Sequence, residues 1–267
     1  MTKSPFDLVL SYLQWQGSGR HDNLRRGARA AAAVCGEFGP VVHVADAGDG
    51  TTMGGINRWS AIVEQFNAAQ AMLEEHRPRR LLTAGGDCAC DIVAIDYLHR
   101  LYPDLTVIWV DAHLDANTAE TSPSGDFHGM PVAAIMGAAP PALRPLLGAP
   151  LPPSQFRYAS AHVGDEGEWA FQRGQALAWL EPGTDVPGPI HVHFDLDVFD
   201  PTEFPYLAYR DGRLPVEAGV DLVRRLAAAG TLVGLTITEF APDDEAGARE
   251  GGAVLRRICE AAACDPQ

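Results

Sequence analysis

The chain has 267 residues, 46% of them hydrophobic, enough to bury a large core and close to the upper end for one domain. A formal net charge of −15 argues against a nucleic-acid partner, and the lack of any apolar run of about 18 residues argues against a membrane-spanning helix. Five cysteines (35, 88, 90, 259 and 264) are odd in number and scattered, which fits free thiols in a reducing cytoplasm better than a disulfide framework.

The segment Met1-Thr2-Lys3-Ser4-Pro5 runs directly into a strand-like Leu8–Leu13, without the apolar core and cleavage site of a signal peptide. A helix is expected around Leu24–Phe38, a strand at Val41–Ala45, a helix at Trp59–Glu75 and a strand at Arg80–Ala84. Cys90–Leu101 reads as a helix and Leu105–Val110 as a strand. Further strands are expected at Phe156–Ser160, Ile190–Phe194 and Leu232–Thr238, with helices at Glu166–Leu180, Val216–Ala229 and Glu245–Ala263. Asn117–His128 and Pro201–Pro215 are long loops of the kind that rim a pocket, and Pro140–Pro153 is a surface connection. This alternation predicts one α/β domain over 1–267, a three-layer α-β-α arrangement with a mostly parallel sheet between helices. Ligands of such sheets sit at the carboxyl ends of the strands.

Three polar motifs follow apolar strand-like runs: Gly85-Gly86-Asp87-Cys88, Asp111-Ala112-His113-Leu114-Asp115 and Asp195-Leu196-Asp197. Alternation along an extended chain turns Asp111, His113 and Asp115 to one side, and likewise Asp195 and Asp197. Carboxylates brought together repel, so a cation must neutralise them. Hard oxygens with one imidazole suit Mn²⁺, and other divalent ions less well. Either motif alone could merely close a strand and cap the next helix; together they point to a two-metal site that activates water.

With these in order, the chain resembles the arginase/agmatinase (ureohydrolase) family. The resemblance rests on the three motifs, on His128-Gly129-Met130-Pro131, on Asp200-Pro201 after the third motif, and on Glu239 in Thr238-Glu239-Phe240. It implies an arginase-like fold and a hydrolase with two Mn²⁺. Asp111 and Asp195 would bridge both ions, Cys88 and Asp115 would complete the shell of the first, and His113 and Asp197 that of the second. Water activated between the ions would attack a guanidinium carbon. Glu239 would receive the guanidinium group, and His128 would shuttle a proton to the leaving amine. Asn117 and Ser124 lie where arginases bind the substrate α-carboxylate, and Asp165 where they bind the α-amino group, so the resemblance implies a guanidino amino acid rather than agmatine.

Cys88 stands where the family has a histidine ligand. A thiolate is soft and anionic, which lowers the Lewis acidity of its metal. That favours a substrate easier to attack than arginine, and at this feature the chain resembles a hydroxyarginine hydrolase of antibiotic biosynthesis within the family. The best reading is therefore hydrolysis of Nω-hydroxy-L-arginine to L-ornithine and hydroxyurea. An ordinary arginase, a formimidoylglutamase and an inactive metal-binding homologue are the alternatives. Cys88 could instead be a buried thiol with Cys90 as the ligand, although the register of the motif favours Cys88. The family's Gly-Thr-Pro loop is replaced by Glu203–Pro215, and Val163 replaces one expected aspartate. The short stretch after Glu239 lacks the tail on which arginase trimers rely, so a monomer is expected.

Overall fold

The computed structural model describes residues 4–19 and 21–263, so Cys264 and the first three residues lie outside it. Strands and helices alternate: β1 Leu8–Tyr12, α1 His21–Cys35, β2 Val41–Val44, α2 Trp59–His76, β3 Leu81–Gly85, α3 Asp91–Leu101 and β4 Thr106–Val110. A one-turn α4 (Pro131–Ala133) follows, then β5 Phe156–Ala159, α5 Glu166–Gln175, β6 Ala178–Trp179, β7 Pro189–Asp195, α6 Val216–Ala229, β8 Thr231–Thr238 and α7 Glu245–Ala263. The strands form one parallel sheet in the order β2-β1-β3-β8-β7-β4-β5-β6. Among the described residues, no helix is long and apolar enough to cross a membrane.

Both faces of the sheet are covered, and β4 is apolar on both sides. Val107 and Trp109 of β4 pack into the layer holding Phe66, Ile92 and Ile95 of α2 and α3. Ile108 and Val110 pack into the opposite layer with Val220 and Val223 of α6 and Leu255 and Ile258 of α7. In β7, Ile190, Val192 and Phe194 face the α6/α7 layer. Alternation therefore turns His191, His193 and Asp195 to the other side.

Two segments differ from the sequence expectation. The helix expected over Glu166–Leu180 ends at Gln175, where Ala176 turns left-handed (φ 53°) and Leu177 N donates to Gln172 O (3.0 Å). Ala178–Trp179 then pairs with β5 as an edge strand, and the Trp179 indole donates to Ala161 O. A short apolar run serves either period, and pairing with the sheet edge decides this one. The chain also turns helically from Pro131 through Ala138, where a break at Gly137 (φ 98°) ends it; the expectation had no element there.

The strand order sets the site. The chain moves from β3 to β4, yet β8 and β7 lie between them in the sheet. The carboxyl ends of four neighbouring strands, β3, β8, β7 and β4, thus release Cys88, Glu239, Asp195 and Asp111 side by side.

Candidate metal centre

Each polar side chain is placed by a tight local turn. After β3 the chain makes a 3-10 turn over Cys88–Cys90, with Asp87 as its cap accepting from Ala89 N (3.0 Å). Asp87 points away from the centre: it also accepts from Gln14 Nε2 (2.9 Å) and Gly17 N (2.8 Å), and burial lifts its carboxyl to about 7. Gly86 is needed because a Cβ there would lie 1.7 Å from Gln14 O. Asp111 and Asp195 repeat one device at the ends of β4 and β7, each folding a carboxylate oxygen back onto the amide two residues on, His113 N and Asp197 N, both at 2.7 Å.

These turns bring two donor groups together. Ligand atoms of Cys88, Asp111, His193 and Asp195 lie within 4.8 Å of one another, all on buried residues; so do those of Asp111, His113 and Asp197. The shared member is Asp111. Cys88 Sγ sits 2.7 Å from Asp195 Oδ2 and 3.7 Å from Thr238 Oγ1. His113 Nδ1 faces Asp111 Oδ1 (3.4 Å) and Asp197 Oδ2 (3.3 Å), while its Nε2 lies 3.3 Å from Asp211 Oδ2. A carboxylate on the far nitrogen is the usual way a ligating imidazole is aimed. Asp115 is buried nearby with a left-handed backbone (φ 49°) but belongs to neither group.

The electrostatics fit a divalent cation. Burial, followed by the charges of Asp195, Asp115, Glu239 and Asp111, pushes the Cys88 thiol well up. Burial and neighbouring carboxylates likewise raise Asp195 and Asp115. Burial opposes protonation of His113, yet Asp197 and Asp111 outweigh it and raise the proton affinity of the ring. Among the described residues, Asp115 Oδ2, Asp197 Oδ1 and Glu239 Oε2 are buried and find no hydrogen-bond partner. Buried oxygens with neither proton donor nor water are expensive. Oxygen donors, one thiol and imidazoles are a suitable set for a transition-series divalent ion.

The other expected residues are placed as follows. Glu239 follows β8 at φ 57°, buried, with its N donating to Gly86 O (2.8 Å). His128, on a turn at Phe127–Gly129, places Nδ1 3.7 Å from Glu239 Oε1. Asn117 and Asp165 are joined, Nδ2 to Oδ2 at 2.8 Å. Asp165 is also the N-cap of α5, in a capping box with Glu168. Ser124 is exposed, and its Oγ accepts from Asp126 N within its own loop (3.1 Å). Cys90 packs in the α2/α3 core and belongs to neither donor group.

Sequence reasoning missed four contributors. His193 joins the Cys88 group. Asp91, at the start of α3, bonds His193 Nδ1 (2.9 Å) and His191 Nε2 (2.9 Å). Tyr209 stacks on His128 (centroids 5.2 Å apart, 26° between planes) and meets His113 edge-on at 5.9 Å. Asp211 backs His113. The signal for His193 was present in the alternating run His191-x-His193-x-Asp195-x-Asp197; Tyr209 and Asp211 carry no local signal, because a long-range fold-back places them.

The matched stretch of the arginase of Saccharomyces cerevisiae is 32% identical over 190 residues, covering 61% of this chain and 57% of that protein. For the arginase of Bacillus caldovelox the values are 34% over 190 residues, 59% and 62%. The chain thus matches about three-fifths of these relatives' length. Among solved structures, an Entamoeba histolytica arginase in complex with L-ornithine superposes with a TM-score of 0.82 at 18% identity, covering 96% of this chain and 97% of that one. The Bacillus caldovelox arginase superposes with a TM-score of 0.82 at 22% identity, covering 98% and 99%. At these identities the structural likeness is one of fold. The model of the arginase family matches residues 22–263, nearly the whole chain, and with the donor groups at the strand ends it follows that this protein belongs to the arginase family.

Proposed function

We propose that the protein is a dinuclear amidinohydrolase that cleaves a guanidino C–N bond, with Nω-hydroxy-L-arginine as substrate and L-ornithine and hydroxyurea as products. The observation that carries this reading is Cys88, whose Sγ lies 2.7 Å from Asp195 Oδ2 inside a buried donor group of an arginase-family chain. Cys88, Asp111, Asp115 and Asp195 would hold one Mn²⁺, and Asp111, His113, Asp195 and Asp197 the other. When bound, the cations supply Lewis acidity and favour ionisation of water near neutral pH.

The residues divide the remaining work. Burial and the charges of Asp87, Asp197 and Asp111 raise Glu239, so its carboxylate favours a cationic guanidinium partner. Water oxygen adds to the guanidinium carbon, and the bond from that carbon to the ornithine δ-nitrogen breaks. His128 delivers the proton that the δ-nitrogen takes on leaving. Asn117, Ser124 and Asp165 would read the amino-acid end, with Asn117 and Asp165 already fixed against each other.

Two features favour the hydroxylated substrate. A thiolate adds a negative charge where imidazole adds none, which weakens activation of water. An N-hydroxyguanidine is less basic, so it demands less. Tyr209 also stacks on His128, and its hydroxyl, 3.5 Å from His128 Nε2, would offer a hydrogen-bonding group to the N-hydroxyl. The arginase relatives favour a second reading, plain L-arginine to L-ornithine and urea.

Ornithine release from L-arginine and from Nω-hydroxy-L-arginine by Mn²⁺-loaded protein separates the two. The expected result is at least ~10-fold higher kcat/KM for the hydroxylated form, a difference of about 1.4 kcal/mol, and a Cys88→His variant whose ratio moves toward arginine. Equal or better use of arginine would make this an arginase with a tolerated ligand exchange. No turnover of either compound by metal-replete protein would sink the enzyme reading.

A further inference from the structure

We propose that His193 is a metal ligand on the Cys88 side of the centre, its Nε2 directed at the cation by Asp91. The inference rests on the metal-centre reading above and extends it to a residue outside the family-type ligand set.

The placement follows from the strand. His193 and Asp195 are two residues apart in β7, so they project to the same side, and their donor atoms join those of Cys88 and Asp111 within 4.8 Å. One side of the imidazole is already committed: Nδ1 lies 2.9 Å from Asp91 Oδ2. A carboxylate acceptor there keeps the proton on Nδ1 and leaves the Nε2 lone pair available. Nε2 points to the gap between strand ends, 3.4 Å from Thr238 Oγ1, itself 3.7 Å from Cys88 Sγ.

Asp91 is built to hold that orientation. It is fully buried and accepts from His193, from His191 (2.9 and 3.0 Å) and from Thr236 Oγ1. A buried carboxylate bonded to the far nitrogen of an imidazole is the arrangement that orients metal-ligating histidines. Trp109 lies flat on the His193 ring, 3.5 Å between centroids and 5° between planes, and its indole N–H donates to Asp111 Oδ2 (3.0 Å). One side chain therefore fixes both the histidine and the carboxylate common to the two donor groups.

The exchange at Cys88 gives this a chemical reason. A cysteine reaches less far than a histidine and supplies sulfur instead of nitrogen. His193, entering from the neighbouring strand, returns an imidazole nitrogen to that side and fills the space a shorter side chain leaves.

The competing account is a polar core network in which His193 only packs. A crystal structure of the wild-type protein loaded with Mn²⁺, with the ions located by anomalous scattering, separates the two. Nε2 at about 2.0–2.2 Å from an ion is expected; two bound ions with Nε2 still against Thr238 overturns the proposal. In solution, His193→Asn should weaken one of two Mn²⁺ sites by roughly 10–100-fold, and Asp91→Asn should do so in the same range. The thiolate-to-metal charge-transfer band of Co²⁺-loaded His193→Asn reports that the Cys88 side remains assembled. A His193→Asn variant with that band and two undiminished sites also overturns the proposal. If the wild-type protein binds no Mn²⁺ or Co²⁺, the metal-centre reading itself fails.

Discussion

At the residue scale, the centre is a problem in charge. Cys88, Asp115 and Asp195 are each raised by burial and by neighbouring carboxylates, so a cation at the centre would favour their ligating, proton-free forms. His128 stands apart: half-buried, 3.7 Å from Glu239 Oε1 and stacked against the Tyr209 ring, it belongs to neither donor group. His128→Asn should therefore leave Mn²⁺ stoichiometry unchanged and slow kcat by ~10²–10⁴-fold, the usual range for a lost general acid or base. Metal analysis and steady-state rates on one preparation check both halves. An unchanged kcat removes His128 from proton transfer; lost metal would make it a structural part of the centre. Residue chemistry was the most legible level, because Asp111, His113, Asp195 and Asp197 announce themselves by alternation at strand ends. His193 has the same alternation, but a histidine inside an apolar strand reads as core until its partner Asp91, 102 residues away, is known.

At the element scale, the loop over 201–215 matters most. It leaves the Asp195–Asp197 turn, and its return strand-like pairing sets Phe199 against Leu214 and Leu207 against Phe240. Tyr209 and Asp211 are thereby carried over His128 and His113. Gly212 is where the loop passes closest: a Cβ there would lie 2.1 Å from Asp197 O and 2.3 Å from Phe199 O. Both atoms are backbone, so no side-chain rotation relieves the contact. Gly212→Ala should cost about 1–3 kcal/mol of stability, as overpacking does, and should lower kcat/KM by shifting Tyr209 and Asp211. Urea denaturation and kinetics on the variant give the two numbers. Wild-type stability and rate would mean that the loop can lift without consequence. The sequence marks this segment as a pocket-rim loop but not its path, because a pattern-free loop encodes its path only through contacts made after the sheet has formed. The same limit explains α5: the run Ala176–Leu180 is apolar in either period, and only the free edge of β5 makes its end a strand.

On the scale of the whole molecule, the parallel sheet was legible because apolar strand-like runs alternate along the chain with amphipathic helices. The order of the strands was not, since no local pattern says that β8 and β7 insert between β3 and β4. That insertion makes the site a product of the complete sheet, with site residues spaced from Cys88 to Glu239 along the chain. Bound cations would then clamp three strands, β3, β7 and β4, at their carboxyl ends and favour the folded state alone, because the unfolded chain scatters these residues. The linkage is direct: saturating ion at 100 times its dissociation constant adds about 2.7 kcal/mol per site. For a domain of this size that corresponds to a rise of roughly 5–10 °C in Tm. Thermal unfolding of chelator-treated protein, repeated with added Mn²⁺ and with Mg²⁺ as a hard-ion control, measures it. The rise should be larger with Mn²⁺, because thiolate and imidazole donors favour it over Mg²⁺. Equal Tm with and without Mn²⁺ at millimolar concentration would mean that these carboxylates keep their protons in place of a metal, and the reading of the strand ends as a metal centre would fall.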